Sequence, residues 1–192
     1  MGYKVMCYAF VVISIAFSSC SSNIEKEIRT FMQSEIVLPV TEMERFECSL
    51  FPEHHLNPIV YIVHYYNSPS CGSCEASNIE NEESLYYKKY PDVCFVYIFR
   101  TSPKEEKLMY KNLCAKRVKG VVYIDTSGVF QKENPQIPSQ RIFHTFVLNS
   151  GGEILMVGNP FANDRMRQLF HNVLKEQKEK CDNKQQPFLK QL

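Results

Sequence analysis

Cys71-Gly72-Ser73-Cys74 places two thiols with two residues between them, directly after the apolar run Ile59-Val60-Tyr61-Ile62-Val63 and before a segment whose pattern fits a helix. At a helix start, unpaired N–H groups and the macrodipole stabilise a thiolate, and a pair at this spacing can close and open as a disulfide. The chemistry is thiol–disulfide exchange. Zinc uses the same spacing, but it needs a second Cys or His pair at metal-ligand separation. None follows, and His54-His55 upstream lacks that separation, so no metal and no other cofactor is expected. A purely structural disulfide is the alternative for this pair.

At the amino terminus, Lys4 precedes the apolar run Val5 to Phe17, and the small residues Ser18-Ser19 precede Cys20. The run is too short for a membrane span and reads as an export signal. Ser18-Ser19-Cys20 resembles a bacterial lipobox, in which the cysteine becomes the lipidated first residue, although Phe17 stands where that pattern prefers Leu. The resemblance implies a signal peptide over residues 1–19, lipidation at Cys20, and a tether over 20–34. The protein would then sit lipid-anchored in a bacterial cell envelope, facing the periplasm or the cell surface. Each buried methylene of the lipid contributes about 0.8 kcal/mol to anchoring. An ordinary cleaved secretory peptide is the alternative.

Without the signal, the 192-residue chain matches one domain with a sizeable core. A net charge of +1 gives no basic surface for nucleic acid. Setting aside Cys7 and Cys20, six of the eight cysteines remain, and an exported location permits disulfides. Beyond Cys71 and Cys74, the residues Cys48, Cys94, Cys114 and Cys181 can pair in three ways or stay reduced. Cys94 lies inside the apolar run Val93 to Phe99 and reads as a buried, inert thiol.

The elements that must position the pair follow from hydrophobic pattern. Residues 24–34 read as a short helix or an ordered tether. Ile36 to Pro39 and Arg45 to Cys48 read as two short strands forming an added amino-terminal hairpin. Pro58 to Tyr66 and Val93 to Phe99 are apolar enough for strands buried on both faces. Between them a helix is predicted from about Cys71 to Tyr90, ended by Pro91. Ser102-Pro103-Lys104-Glu105 is a helix start with a capping box, and that helix is predicted to end near Gly120. Val121 to Ile124 is a third strand, with Asp125 to Gly128 as its turn. Phe143 to Leu148 and Glu153 to Val157 flank the hairpin signal Asn149-Ser150-Gly151-Gly152. Met166, Leu169, Phe170, Val173 and Leu174 form one apolar helix face, whereas the chain from Lys175 lacks periodicity and is expected to fray. The expected domain spans 35–181, with a flexible tail over 182–192.

This order, β-α-β-α-β followed by a hairpin and a helix, with CxxC at the first strand-to-helix junction, resembles a thioredoxin fold: α/β, a central mixed sheet flanked by helices. Within it, the chain is similar to the TlpA-type thiol–disulfide oxidoreductases of bacterial envelopes over about Ile36 to Lys178. The likeness rests on Cys71-Gly72-Ser73-Cys74 and on Thr145-Phe146-Val147-Leu148-Asn149-Ser150-Gly151-Gly152-Glu153-Ile154, similar to the family's Thr-Phe-Leu-Ile-Asp-x-x-Gly-Lys-Ile hairpin. Val122-Tyr123-Ile124-Asp125 fits the preceding strand and turn.

The resemblance implies that Cys71 is the nucleophile, that Cys74 resolves the mixed disulfide, and that a redox-active Cys71–Cys74 disulfide is the working group. Partners would be exported protein thiols or disulfides, an upstream electron donor, and the membrane through the lipid; Cys71 should lie at the surface, with Cys74 more covered by its own helix. Three positions depart from the family. Ser70 replaces a tryptophan, Phe143 aligns with a cis-proline, and Ser77 and Tyr65 stand where relay carboxylates occur. Glu75, His64 and His144 are then the candidates for proton transfer, each with a plain structural alternative. Pro138 could replace the proline only in a rearranged loop. The other function class is a noncatalytic thioredoxin-like binding lipoprotein with a structural disulfide. Aromatic clusters such as Tyr65-Tyr66 and Tyr86-Tyr87 raise ligand binding, with core packing as the simpler account. A peroxidase would need a Pro-x-x-x-Thr/Ser-x-x-Cys segment, absent around Cys71.

Overall fold

Every residue from Val93 to Phe99 is apolar, and successive side chains of a strand leave by opposite faces, so such a strand requires a layer on each side. A computed structural model describes residues 23–46, 58–68, 74, 86, 89–116, 118 and 120–182. It contains one mixed sheet of six strands in the order β1-β4-β3-β2-β5-β6. The strands are β1 (Glu44–Arg45), β2 (Val60–Asn67), β3 (Val93–Arg100), β4 (Val121–Asp125), β5 (Thr145–Asn149) and β6 (Ile154–Val157). β2, β3 and β4 run parallel, β5 is antiparallel to β2, β6 to β5, and β1 to β4.

Odd and even positions build two cores. Val60, Ile62, Phe95, Tyr97, Phe99, Val122 and Val147 share one core with Met109, Leu113, Phe170 and Leu174. These last four come from α2 (Glu106–Lys116) and α4 (Asp164–Asp182). Tyr61, Val63, Tyr65, Cys94, Val96, Ile98 and Phe146 share the other with Phe31, Val129 and Phe130. Phe31 belongs to α1 (23–32), and Val129 and Phe130 to α3 (Val129–Glu133). The architecture is α/β and thioredoxin-like, as the strand pattern implied. Among the described residues, no helix is long and apolar enough to cross a membrane.

Four expectations need correction or completion. The amino-terminal segments do not form a hairpin with each other: Glu35 bridges Glu153 beside β6, while β1 pairs with β4 at the opposite edge. Two contacts draw the first segment away. Ile36 N–H donates to Gly152 O at 2.9 Å, an approach that needs glycine, because a Cβ on Gly152 (φ +86°) would lie 2.8 Å from Ile36 O. Buried Asn134 then acts as a surrogate strand, accepting from Val37 N and donating to Val37 O, both at 2.8 Å.

Second, α4 runs on through Asp182, and Gln177 is buried; Lys178–Asp92 and Lys180–Glu176 contacts hold the stretch expected to fray. Leu169 on the same helix is exposed, because the sheet contacts only the Phe170–Leu174 side. Third, a short helix, α3, follows the turn expected at Asp125 to Gly128: Asp125 receives the Val129 and Phe130 N–H groups at 2.9 and 3.0 Å and nucleates it. Fourth, β5 starts at Thr145, since Arg141–Phe143 forms a 3-10 turn. α1 extends the fold rather than trailing from it, with Phe31 packed edge-on against Phe146. The signal peptide, Cys20, Cys48 and residues 183–192 lie outside the described residues.

Candidate functional site

The carboxyl end of β2 is where chain topology delivers the cysteines. β2 is an interior strand ending at Asn67. Cys74, seven positions on, is helical, exposed and disulfide-bonded. Cys94, Cys114 and Cys181 are thiols, so the partner of Cys74 is a cysteine outside the described residues. Cys71, Glu75 and Ser77 also lie outside them. The exposure of Cys74 differs from the more covered resolving sulfur that was expected. Farther along, Tyr86 and Lys89 are helical. Tyr86 stacks on Phe161 at 3.8 Å, while Tyr90 packs on Phe161 and Phe170 and its hydroxyl meets His171 Nε2 at 2.6 Å. Tyr86 and Tyr90 are thus docked on Phe161 and, for Tyr90, on α4.

The antiparallel partner β5 begins at the same end, since His64 pairs with Thr145 and Tyr65 N–H donates to His144 O at 2.8 Å. Phe143, at the position the resemblance gives to a cis-proline, is buried in the 3-10 turn, and no cis peptide bond occurs among the described residues. Pro138 is held beside His144, whose Nε2 lies 2.9 Å from the Pro138 carbonyl oxygen. Burial lowers the His144 pKa, partly offset by that backbone contact.

His64 lies across the sheet. Its ring stacks on Tyr97 at 5.3 Å, its Nδ1 sits 3.2 Å from Thr145 Oγ1, and burial pushes its pKa down to about 4. The structure therefore does not bring the two histidines together: His144 tilts against Tyr65 at 5.3 Å on the α3 side. Both serve as neutral packing groups. Cys94 is the buried thiol expected, pushed up to about 12 by desolvation. Of the aromatic clusters, Tyr65 packs on Phe130, Tyr66 stacks on Phe99 and Tyr86 on Phe161, which is core packing. Among the described residues, no group of three or more His, Cys, Asp or Glu is placed to hold a metal.

Sequence reasoning missed the polar residues at this sheet end. Arg100 terminates β3, and its Nη1 donates to Asn67 Oδ1 at 3.2 Å; Asn67 Nδ2 in turn donates to Gln131 Oε1 at 3.4 Å. Tyr65 brings a buried hydroxyl without a hydrogen bond of normal geometry. Burial pushes that hydroxyl up to about 12, against the opposing pull of the Arg100 guanidinium. The available signal was a lone arginine closing an otherwise apolar strand.

No protein-family model and no curated protein matches the chain. Among solved structures, the chain is similar to an uncharacterized thioredoxin-like protein from Porphyromonas gingivalis. The identity is 12% over 77% of this chain and 95% of that one, with a TM-score of 0.44. It is similar to a thioredoxin-like protein in its oxidized form at 13% identity, covering 76% and 97% of the two chains, with a TM-score of 0.45. A third likeness is to the bacterioferritin comigratory protein of Xanthomonas campestris, studied for alkyl peroxide reduction, at 14% identity over 61% and 82%, with a TM-score of 0.41. At such values the fold assignment rests on strand order and polarity, not on these likenesses.

Proposed function

We propose that the protein is a TlpA-type thiol–disulfide oxidoreductase of the bacterial envelope, anchored through a lipid on Cys20 and acting on exported proteins through Cys71 and Cys74. The observation that carries this reading is Cys74 itself: helical, exposed and disulfide-bonded just beyond the interior strand β2. We assign Cys71 as its partner. In the reducing direction, the Cys71 thiolate attacks one sulfur of a substrate disulfide and the other sulfur leaves as a thiolate that takes a proton. Cys74, deprotonated, then attacks Cys71 Sγ, releasing the second substrate thiol and leaving Cys71–Cys74 oxidised. Two electrons have passed to the substrate, and a dithiol donor must restore the pair.

The noncatalytic reading is favoured by one observation: His64 and His144 are buried with lowered pKa values, and neither replaces a relay carboxylate. Variants separate the two. Cys71→Ser should abolish exchange because the nucleophile is gone, whereas Cys74→Ser should accumulate mixed disulfides visible on nonreducing gels. Wild type inert across a range of redox buffers, or both variants exchanging like wild type, would remove the oxidoreductase assignment. Mass spectrometry of the membrane fraction tests the anchor: the expected species begins at an acylated Cys20, and a native soluble chain cleaved elsewhere excludes it.

A further inference from the structure

Arg100 ends β3 with a charged group. No carboxylate among the described residues forms an ion pair with it. Its cross-strand neighbour is Asp125, but both oxygens of that carboxylate are turned to Val129 N, Phe130 N and Ser127 Oγ. The guanidinium is also fixed in place. Asn67 Oδ1 accepts one of its five N–H donors, and its Nε, Cζ and Nη2 would lie 3.3–3.4 Å from a Cβ built on Gly128 (φ +73°). Gly128 thus lets the planar group lie close over the backbone. Arg100, Asn67 and Gln131 are each only partly buried, so the remaining donors are reachable, and the buried Tyr65 hydroxyl lies beside the guanidinium, which draws its pKa down against burial. A guanidinium held in one plane, partly buried and without an ion pair among the described residues, is arranged for bidentate recognition of a carboxylate. It stands at the carboxyl ends of parallel strands, where α/β sheets bind ligands.

We propose that Arg100, supported by Asn67 and Tyr65, is a specificity-determining residue that receives an acidic side chain lying next to the disulfide of the substrate protein. This rests on the oxidoreductase reading. It is tested with two model peptide disulfides that differ only in Glu or Gln beside the cysteine. The wild type should favour the Glu peptide by about tenfold in kcat/KM, expressed in KM, as a charge-assisted pair partly open to solvent allows. The preference should shrink as salt rises. Arg100→Gln should remove it, and Arg100→Lys, which keeps the charge without the fork, should retain a part. A wild type without preference overturns the proposal. So does an Arg100→Gln variant that slows both peptides equally with the preference intact, since that places the residue's effect on the thiolate. A second readout does not need exchange: the Arg100 Nε–H resonance should shift on adding a cysteine-free Glu peptide and not its Gln counterpart. That shift in a protein inert to disulfides would sink the oxidoreductase reading alone. Its absence would sink carboxylate recognition alone.

Discussion

Cys74 and Cys94 carry the same atoms and differ in what surrounds them. The first is exposed and in a disulfide; the second is buried in β3 and its thiol is pushed up to about 12, so almost no thiolate forms near neutrality. The burial of Cys94 was legible in the chain, because a cysteine inside seven consecutive apolar residues has nowhere polar to go, whereas the exposure of Cys74 was not. The arrangement of Arg100 was not, since it depends on Asn67, Gly128 and Gln131, which are distant in sequence. His64 yields a pH prediction at this scale. Its folded pKa of about 4 lies below the ordinary value of 6.5, so the unfolded chain binds the proton first as pH falls. Stability is therefore complete above about pH 6.5 and declines toward pH 4, by up to about 3 kcal/mol from this residue. Urea unfolding at pH 7 and pH 5 should show the loss, with His144 adding in the same direction. His64→Gln should flatten the slope; an unchanged slope in that variant would remove His64 as its source.

At the scale of elements, strands were easier to read than their partners. β2, β3, β4 and the β5–β6 hairpin follow from runs of apolar residues and from the Asn149-to-Gly152 turn, all local signals. The expected amino-terminal hairpin failed because its first segment is captured by a side chain about a hundred positions later. Asn134 is fully buried, and its amide bonds Val37 N, Val37 O and Phe130 O, each at 2.8 Å. No hydrophobic period reports such a bond. Asn134→Ala would strand both backbone groups of Val37 and should cost about 2–4 kcal/mol. Hydrogen exchange should then quicken at Val37, whereas β2 amides should follow only the global change. Equal acceleration at both sites would show that the segment opens with the sheet and that Asn134 is not its specific fastener. The capping of α3 by Asp125 was half legible: Asp-Thr-Ser-Gly announces a turn, but only the tertiary cover over Val129 and Phe130 makes the next five residues helical.

For the molecule as a whole, the sheet separates two apolar layers that share its strands, one closed by α2 and α4 and the other by α1 and α3. Whether the layers open together can be read chemically. Cys94 lies in β3, between β2 and β4, on the α1–α3 side, so a reagent reaches it only if that layer lifts or the whole fold opens. Phe170 lies on the other side, fully buried in α4. Phe170→Ala should destabilise by about 3–5 kcal/mol through the lost burial and the cavity. If the domain unfolds as one unit, Cys94 alkylation in Phe170→Ala should rise on the order of a hundred- to several-thousand-fold. Its dependence on denaturant should match that of global unfolding. Cys181, exposed in the last turn of α4, should label at once in both proteins and serves as the internal reference. A Cys94 rate that ignores the mutation and the denaturant would mean that α1 and α3 detach on their own. Such a local opening exposes the α3 face, so amides of α3 would then exchange with the rate of Cys94 labelling, and amides of α2 and α4 would not.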